Sequence, residues 1–184
     1  MSEERPEQQA DTQVESKADR LYRQAYGDPR PKPDFTMDPL HLFLLLTSAL
    51  TTIGLTVLIA LRIPEMPDQI PVHFDFIGEA TRYGSPWTSL WVTGGMTLMA
   101  LAMAWISFTP HWFNYPYMIT AENAQRAYRT GQQLMVQSTA AVAVSVFGSA
   151  SIWLGWGLGW LIPVGAALLL AVCVVGIIRC FRAR

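Results

Sequence analysis

The chain has 184 residues, 51% hydrophobic and only 15% charged, with a mean hydropathy of +0.24 and a formal net charge of −1. A soluble globular domain is about a quarter charged, so this composition points to lipid as the main surroundings. The net charge itself says nothing about nucleic acid, but no basic run or RNA-binding motif appears, so no nucleic-acid partner is expected.

Residues 1–38 read as a cytoplasmic tail in two parts. The first fourteen are rich in Glu, Gln and Asp and almost free of apolar side chains, which predicts disorder. "ESKADRLYRQAYG" then sets Ala18, Leu21, Tyr22 and Ala25 at helical spacing, with Gly27 as a stop. Its other face carries Lys17, Arg20 and Arg23, suited to an anionic leaflet or simply to water.

A helix needs about twenty apolar residues to cross the hydrocarbon core. Residues 40–61 supply twenty-two without Asp, Glu, Lys or Arg. Because this first run begins only at residue 40, no cleavable signal peptide is expected.

The loop over 62–86 is different. Ile70, Val72, Phe74 and Phe76 alternate with Pro71, His73 and Asp75, the period of a strand. Gly78 permits a reversal, and Tyr83-Gly84-Ser85-Pro86 leads into the next apolar run. So short a strand is not stable alone and must lean on helix ends or a partner.

Residues 87–109 form the second span. The 110–133 loop opens with a proline-broken aromatic stretch. Thr120 is a plausible N-cap there, with Glu122 in the first turn, and the helix should continue into the third span. Residues 134–178 run forty-five without charge, too long for one crossing and right for two. The break falls at "GWGLGW", residues 155–160, giving spans of about 134–155 and 159–178 within a membrane domain of 39–180. Cys173 and Cys180, seven residues apart, would be separated by about 10 Å along a helix, which predicts free thiols.

Lysine and arginine set the orientation. Eleven fall in the N-terminal tail, the 110–133 loop and the C-terminus, and only Arg62 and Arg82 in the 62–86 loop. The expected fold is therefore an all-α membrane protein of four transmembrane helices. Both termini are cytoplasmic, and a short strand-like extracytoplasmic loop joins the first two helices.

"MPDQIPVHFDFIGEATRYGS" resembles the signature of a bacterial membrane family of unknown function, and "FNYPYMITAENAQRAYRTGQQLM" is similar to the segment after the second span in many members. The first motif looks like the domain at the N-terminus of SdpI-type immunity proteins. Those multi-span proteins protect a cell from its own secreted toxin, and some sequester a repressor at the membrane. The resemblance implies a binding role, with a toxin or peptide as ligand.

His73, Asp75 and Glu79 invite a metal reading, but zinc needs three or four ligands and a supporting shell. His111, the remaining candidate histidine beyond the loop, is expected across the membrane. Structural roles are favoured instead: carboxylates accepting turn amides, and Arg82 paired with one of them. None of the spans has a charged residue at its centre, which argues against transport. No serine has a plausible histidine base, so no enzyme and no cofactor are expected.

The candidate binding residues are thus His73, Phe74, Asp75, Phe76, Gly78, Glu79, Arg82, Tyr83 and Trp87. Small residues Gly94, Gly95, Ala141, Ser145 and Ser149 are expected to pack helices together. The resulting expectation is a non-catalytic protein, touching lipid, that binds a toxin, signal peptide or envelope component through its outer loop. The alternatives are an accessory subunit of a larger membrane assembly and, behind it, a metal site in the loop.

Overall fold

The computed structural model describes residues 30–75 and 79–182. The described residues are mostly helical and include four helices long and apolar enough to cross a membrane. Helix α1 spans Pro39–Arg62, α2 Trp87–Ile106, α3 Ala124–Trp153 and α4 Leu161–Arg182. Strands β1 (Ile70–Phe74) and β2 (Ala80–Gly84) form an antiparallel pair between α1 and α2.

Helix α1 starts where chemistry favours it. Asp38 Oδ1 accepts the amide hydrogens of Leu40 at 2.9 Å and His41 at 3.4 Å, and Pro39 occupies the first turn, where its missing N–H costs nothing. The Leu40 amide is the main reason that the Asp38 carboxyl lies below its ordinary range.

The central element is α3. Of its most apolar stretch 67% is buried, against 28% in α1 and in α2 and 11% in α4. Its thirty residues rise about 45 Å, longer than a hydrocarbon core of about 30 Å. Val142, Val146 and Ala150 of α3 meet Leu55 and Ile59 of α1 and Ala100 of α2 in one buried cluster. A second joins Leu45, Ala104 and Val136 nearer the other end.

Four hydroxyl groups inside the bundle are satisfied within their own helices. Ser48, Thr93, Thr139 and Ser149 each donate to the carbonyl four residues back. An unmade hydrogen bond is costly in so apolar a setting. Between helices, Thr56 and Thr97 hydroxyls lie 2.9 Å apart, and Thr97 Oγ1 donates to Thr52 O at 3.1 Å, joining α1 to α2.

Helix α4 packs chiefly on α3, and glycine sets the distance. A Cβ on Gly148 would come within 2.7 Å of Ile162 N. One on Gly165 would meet Ser145 Oγ, Ser145 N at 2.7 Å and Ala141 O at 2.8 Å. Between the helices the chain reverses through Gly155 and Gly157 at φ +73° and +70°, a region where an L side chain would be strained.

Ala141, Ser145 and Ser149 are buried on α3, whereas Gly94 is half-buried and Gly95 exposed on α2. A Cβ on either would meet nothing within 4 Å, because the buried face of α2 is Ser89, Thr93, Thr97, Ala100 and Ala104. The start of α3 differs from expectation. The helix begins at Ala124, and Glu122 lies before its first turn. Asn123 rather than Thr120 orders the approach, accepting from Thr120 N at 2.9 Å and donating to Met118 O at 3.1 Å. The expected continuity of this helix with the third span holds. Both cysteines are free thiols, Cys173 exposed and Cys180 buried. The expected disordered segment and tail helix lie outside the described residues.

Candidate functional site

The hairpin sits on the end of the bundle formed by the start of α2, the end of α1 and the end of α3. Its register pairs Ile70 with Gly84, Pro71 with Tyr83, His73 with Arg82 and Phe74 with Ala80, irregular on both sides of His73. Ile70 is buried, Val72 and Phe74 are half-buried, and His73 and Asp75 are exposed, so the alternation in the sequence does sort the strand into two faces.

Two features hold the hairpin. Trp153 Nε1, at the last residue of α3, donates to Pro71 O at 2.7 Å. At the tip, Asp75 Oδ1 accepts from Glu79 N at 2.9 Å, while Asp75 N donates to Glu79 O at 3.0 Å. A short polar side chain closing its own turn is the usual service of aspartate. Gly84 gives Val72 room: a Cβ there would sit 3.2 Å from Val72 Cγ2.

The structure brings His73 and Arg82 side by side across the strands, with Tyr83 next in line, all three exposed. Trp87 opens α2 immediately after the hairpin and is 58% exposed, and Trp91, one turn further on, is 79% exposed. Glu79 is exposed at the tip and serves the turn through its backbone. Phe76 and Gly78 lie outside the described residues. Among the described residues, no three His, Cys, Asp or Glu side chains are grouped so as to hold a metal ion.

A second organised surface, not read from the sequence, lies at the opposite end. Phe113, Tyr115 and Tyr117 fold back on the start of α3, where Tyr115 and Tyr128 rings approach to 5.9 Å. Tyr115 Oη donates to Pro110 O at 2.9 Å. Burial pushes the Tyr115 phenol well above its ordinary range and raises that of Tyr117 as well. Gly131 makes the approach feasible, since a Cβ there would meet Tyr115 Oη at 2.6 Å and Phe113 Cδ2 at 2.8 Å.

Residues 30–37 cross this aromatic cluster as a strap. Arg30 Nη1 donates to Phe113 O at 2.6 Å and to His111 O at 3.2 Å. Gln125 donates through Nε2 to Lys32 O at 2.9 Å and accepts through Oε1 from Asp34 N at 3.1 Å. The Arg129 guanidinium lies 4.6 Å from the centre of the Phe35 ring. Prolines 31 and 33 were the available signal: they forbid a helix and favour an extended segment.

Four membrane-length helices with a braced two-stranded sheet define a chain suited to multi-pass insertion in a lipid bilayer. Residues 50–98, from within α1 through the hairpin into α2, match the family model of a domain of unknown function (DUF1648). No curated protein and no solved structure matches the chain.

Proposed function

We propose that this chain is a non-catalytic protein of the bacterial cell membrane that works by binding, through a hairpin presented on the extracytoplasmic side. The observation that carries this reading is the hairpin itself. It is fixed at both ends of β1 and offers Arg82, Tyr83 and Trp87 outward. Arginine, tyrosine and tryptophan are the side chains that most often dominate binding energy at protein interfaces. The distribution of lysine and arginine supports the orientation, with both termini cytoplasmic. The ligand would be a secreted toxin or peptide, and the role immunity or sensing of the SdpI type.

The test is protection. Sensitive cells expressing the chain are exposed to a set of secreted peptide toxins, beside cells expressing Arg82→Ala/Tyr83→Ala/Trp87→Ala at equal membrane abundance. Survival with the wild-type chain and loss of survival with the triple variant are expected. Equal sensitivity with and without the wild-type chain, across the whole set, overturns the immunity role.

A second reading is an accessory subunit of a larger membrane assembly. Its support is α4, which rests chiefly on α3 and has only 11% of its apolar stretch buried within the chain. Purification in mild detergent separates the two readings, since a stable larger complex supports the subunit and a lone chain contradicts it.

A further inference from the structure

The seam between α1 and α3 contains two cavities, one above the other on the same helix faces. The first, about 160 Å³, lies at the end remote from the hairpin and is lined by residues 35–39, His41, Arg129, Gln132 and Gln133. The second, about 280 Å³, lies deeper, between Leu44, Thr47 and Thr51 of α1 and Ala140, Ala143 and Phe147 of α3. His41, Leu44, Ser48 and Thr51 follow one another at three or four residues along α1. Arg129, Gln133, Ala140 and Phe147 share one face of α3. From His41 to Thr47, or from Gln133 to Ala140, the rise is about 10 Å.

The two cavities differ in chemistry. The deeper one has no charged side chain among its lining residues, which come from α1, from α3 and, at Leu161, from the start of α4. The outer one is cationic. Arg129 lines it, and Arg179, in the last turn of α4, donates to the lining Gln133 at 2.7 Å and so sets a second guanidinium beside it. His41 faces the same space. Asp38, the one carboxylate lining it among the described residues, is engaged by the amides of Leu40 and His41 and stands 3.4 Å from His41 Nδ1.

We propose that this seam binds a single anionic phospholipid, its phosphate between Arg129 and Arg179 and one acyl chain in the groove lined by Leu44, Thr51, Ala140 and Phe147. Charge complementarity selects the occupant. A phospholipid joins an anion at the membrane edge to hydrocarbon chains that run deeper, which is the order in which the cavities are stacked. Guanidinium groups suit phosphate oxygens through paired N–H donors, and basic recesses between membrane helices are a recognised way of holding such headgroups. This inference is independent of the hairpin and of which leaflet the cavity faces.

The test is native mass spectrometry of the full chain released from mild detergent, offered phosphatidylglycerol or phosphatidylcholine at equal concentration. One retained phosphatidylglycerol per chain is expected, favoured roughly tenfold over phosphatidylcholine. Arg129→Gln/Arg179→Gln, at exposed positions, should abolish that preference. Thr47→Phe, which fills the groove from α1, should weaken retention of both lipids. Free glycerol phosphate at the same concentration should neither bind nor compete, because it lacks the chain. Equal retention of the two lipids by the wild type overturns the proposal. So does phosphatidylglycerol binding that survives the arginine pair, or a second copy of the chain held at the seam in place of lipid. The arginine variant decides the matter by itself should Thr47→Phe fail to fold.

Discussion

The indole of Trp153 donates to the carbonyl oxygen of Pro71 at 2.7 Å, tying the last residue of α3 to the second residue of β1 across 82 positions of sequence. A two-stranded hairpin is marginal in isolation, so this bond and the burial of Ile70 are what convert it from a flexible loop into a fixed surface. Trp153→Phe keeps an aromatic ring in place and removes only the donor. A hydrogen bond of this kind contributes about 1 kcal/mol net. Amide hydrogen exchange across 70–74 and 80–84 should quicken severalfold in this variant, with the exchange of α3 unchanged. Identical protection in both proteins would show that the bond does not brace the hairpin.

Glycines of α2 and α4 should respond in opposite ways to the same methyl group. At Gly94 an added Cβ meets nothing within 4 Å, and alanine is the better helix former by about 1 kcal/mol, so Gly94→Ala should be neutral or stabilising. At Gly165 the added Cβ runs into the backbone of Ser145 and Ala141, a neighbour that cannot yield. Overpacking of this kind costs about 1–3 kcal/mol. Gly165→Ala should therefore lower the unfolding midpoint in detergent and loosen α4 from α3. Equal midpoints for the two variants would contradict the close approach.

The strap over the aromatic cluster depends on one side chain in particular. Gln125 holds both Lys32 O and Asp34 N, and its removal leaves Arg30 and the Phe35–Arg129 contact to do the rest. Gln125→Ala should speed amide exchange at Asp34, with α1 unaffected. Gln125→Glu retains the acceptor for Asp34 N and should preserve part of that protection. An Asp34 amide that exchanges at the unprotected rate already in the wild type would remove the strap as an ordered element.

The phenol of Tyr115 supplies a pH signature. Burial favours its neutral form, so the folded-state pKa lies above the ordinary value of about 10. A group raised on folding contributes stability that is complete below the unfolded pKa and is lost as pH rises through the folded one. Stability in detergent should therefore fall as pH is raised beyond about 10. The fall should be shallower in Tyr115→Phe, which cannot ionise and which also lacks the bond to Pro110 O, an absence costing roughly 0.5–1.5 kcal/mol at neutral pH. Parallel pH profiles for the two proteins would exclude Tyr115 as the source.

The helices were legible because a run of about twenty residues without charge has few alternatives, and the α3–α4 break because three glycines interrupt the forty-five-residue run. The first strand was legible from its alternation. The second was not: Thr81, Arg82 and Tyr83 are all exposed and carry no period, so only their pairing with β1 makes them a strand. Residue type alone does not reveal which way a helix is turned, so the buried face of α2 at Ser89, Thr93, Thr97, Ala100 and Ala104 was not readable. Thr120 and Asn123 are both good capping residues; Asn123 stands directly before the helix, and its side chain serves Thr120 N and Met118 O rather than a helix amide. In the candidate site, the residue types were readable while their juxtaposition was not. His73 meets Arg82 only through a register that is irregular on both sides of the histidine.

Which side of the membrane the hairpin faces can be decided with two cysteines. Thr81 is exposed on β2, and Ala121 is exposed between α2 and α3 at the other end of the bundle. Each is changed to cysteine in a background carrying Cys173→Ser and Cys180→Ser, so that a single thiol reports. Eleven of thirteen lysines and arginines lie in the sequence segments 1–38, 110–133 and 179–184, and only Arg62 and Arg82 in 62–86. Basic segments near helix ends are retained in the cytoplasm during insertion. In intact cells, a thiol reagent unable to cross the membrane should label position 81 and spare position 121 until the cells are permeabilised. The reverse pattern would place the hairpin inside the cell, where a secreted toxin or peptide could not reach Arg82, Tyr83 and Trp87, and the immunity role would fall with it. Labelling at both positions in intact cells would instead require two orientations in the same membrane, a result the charge distribution argues against.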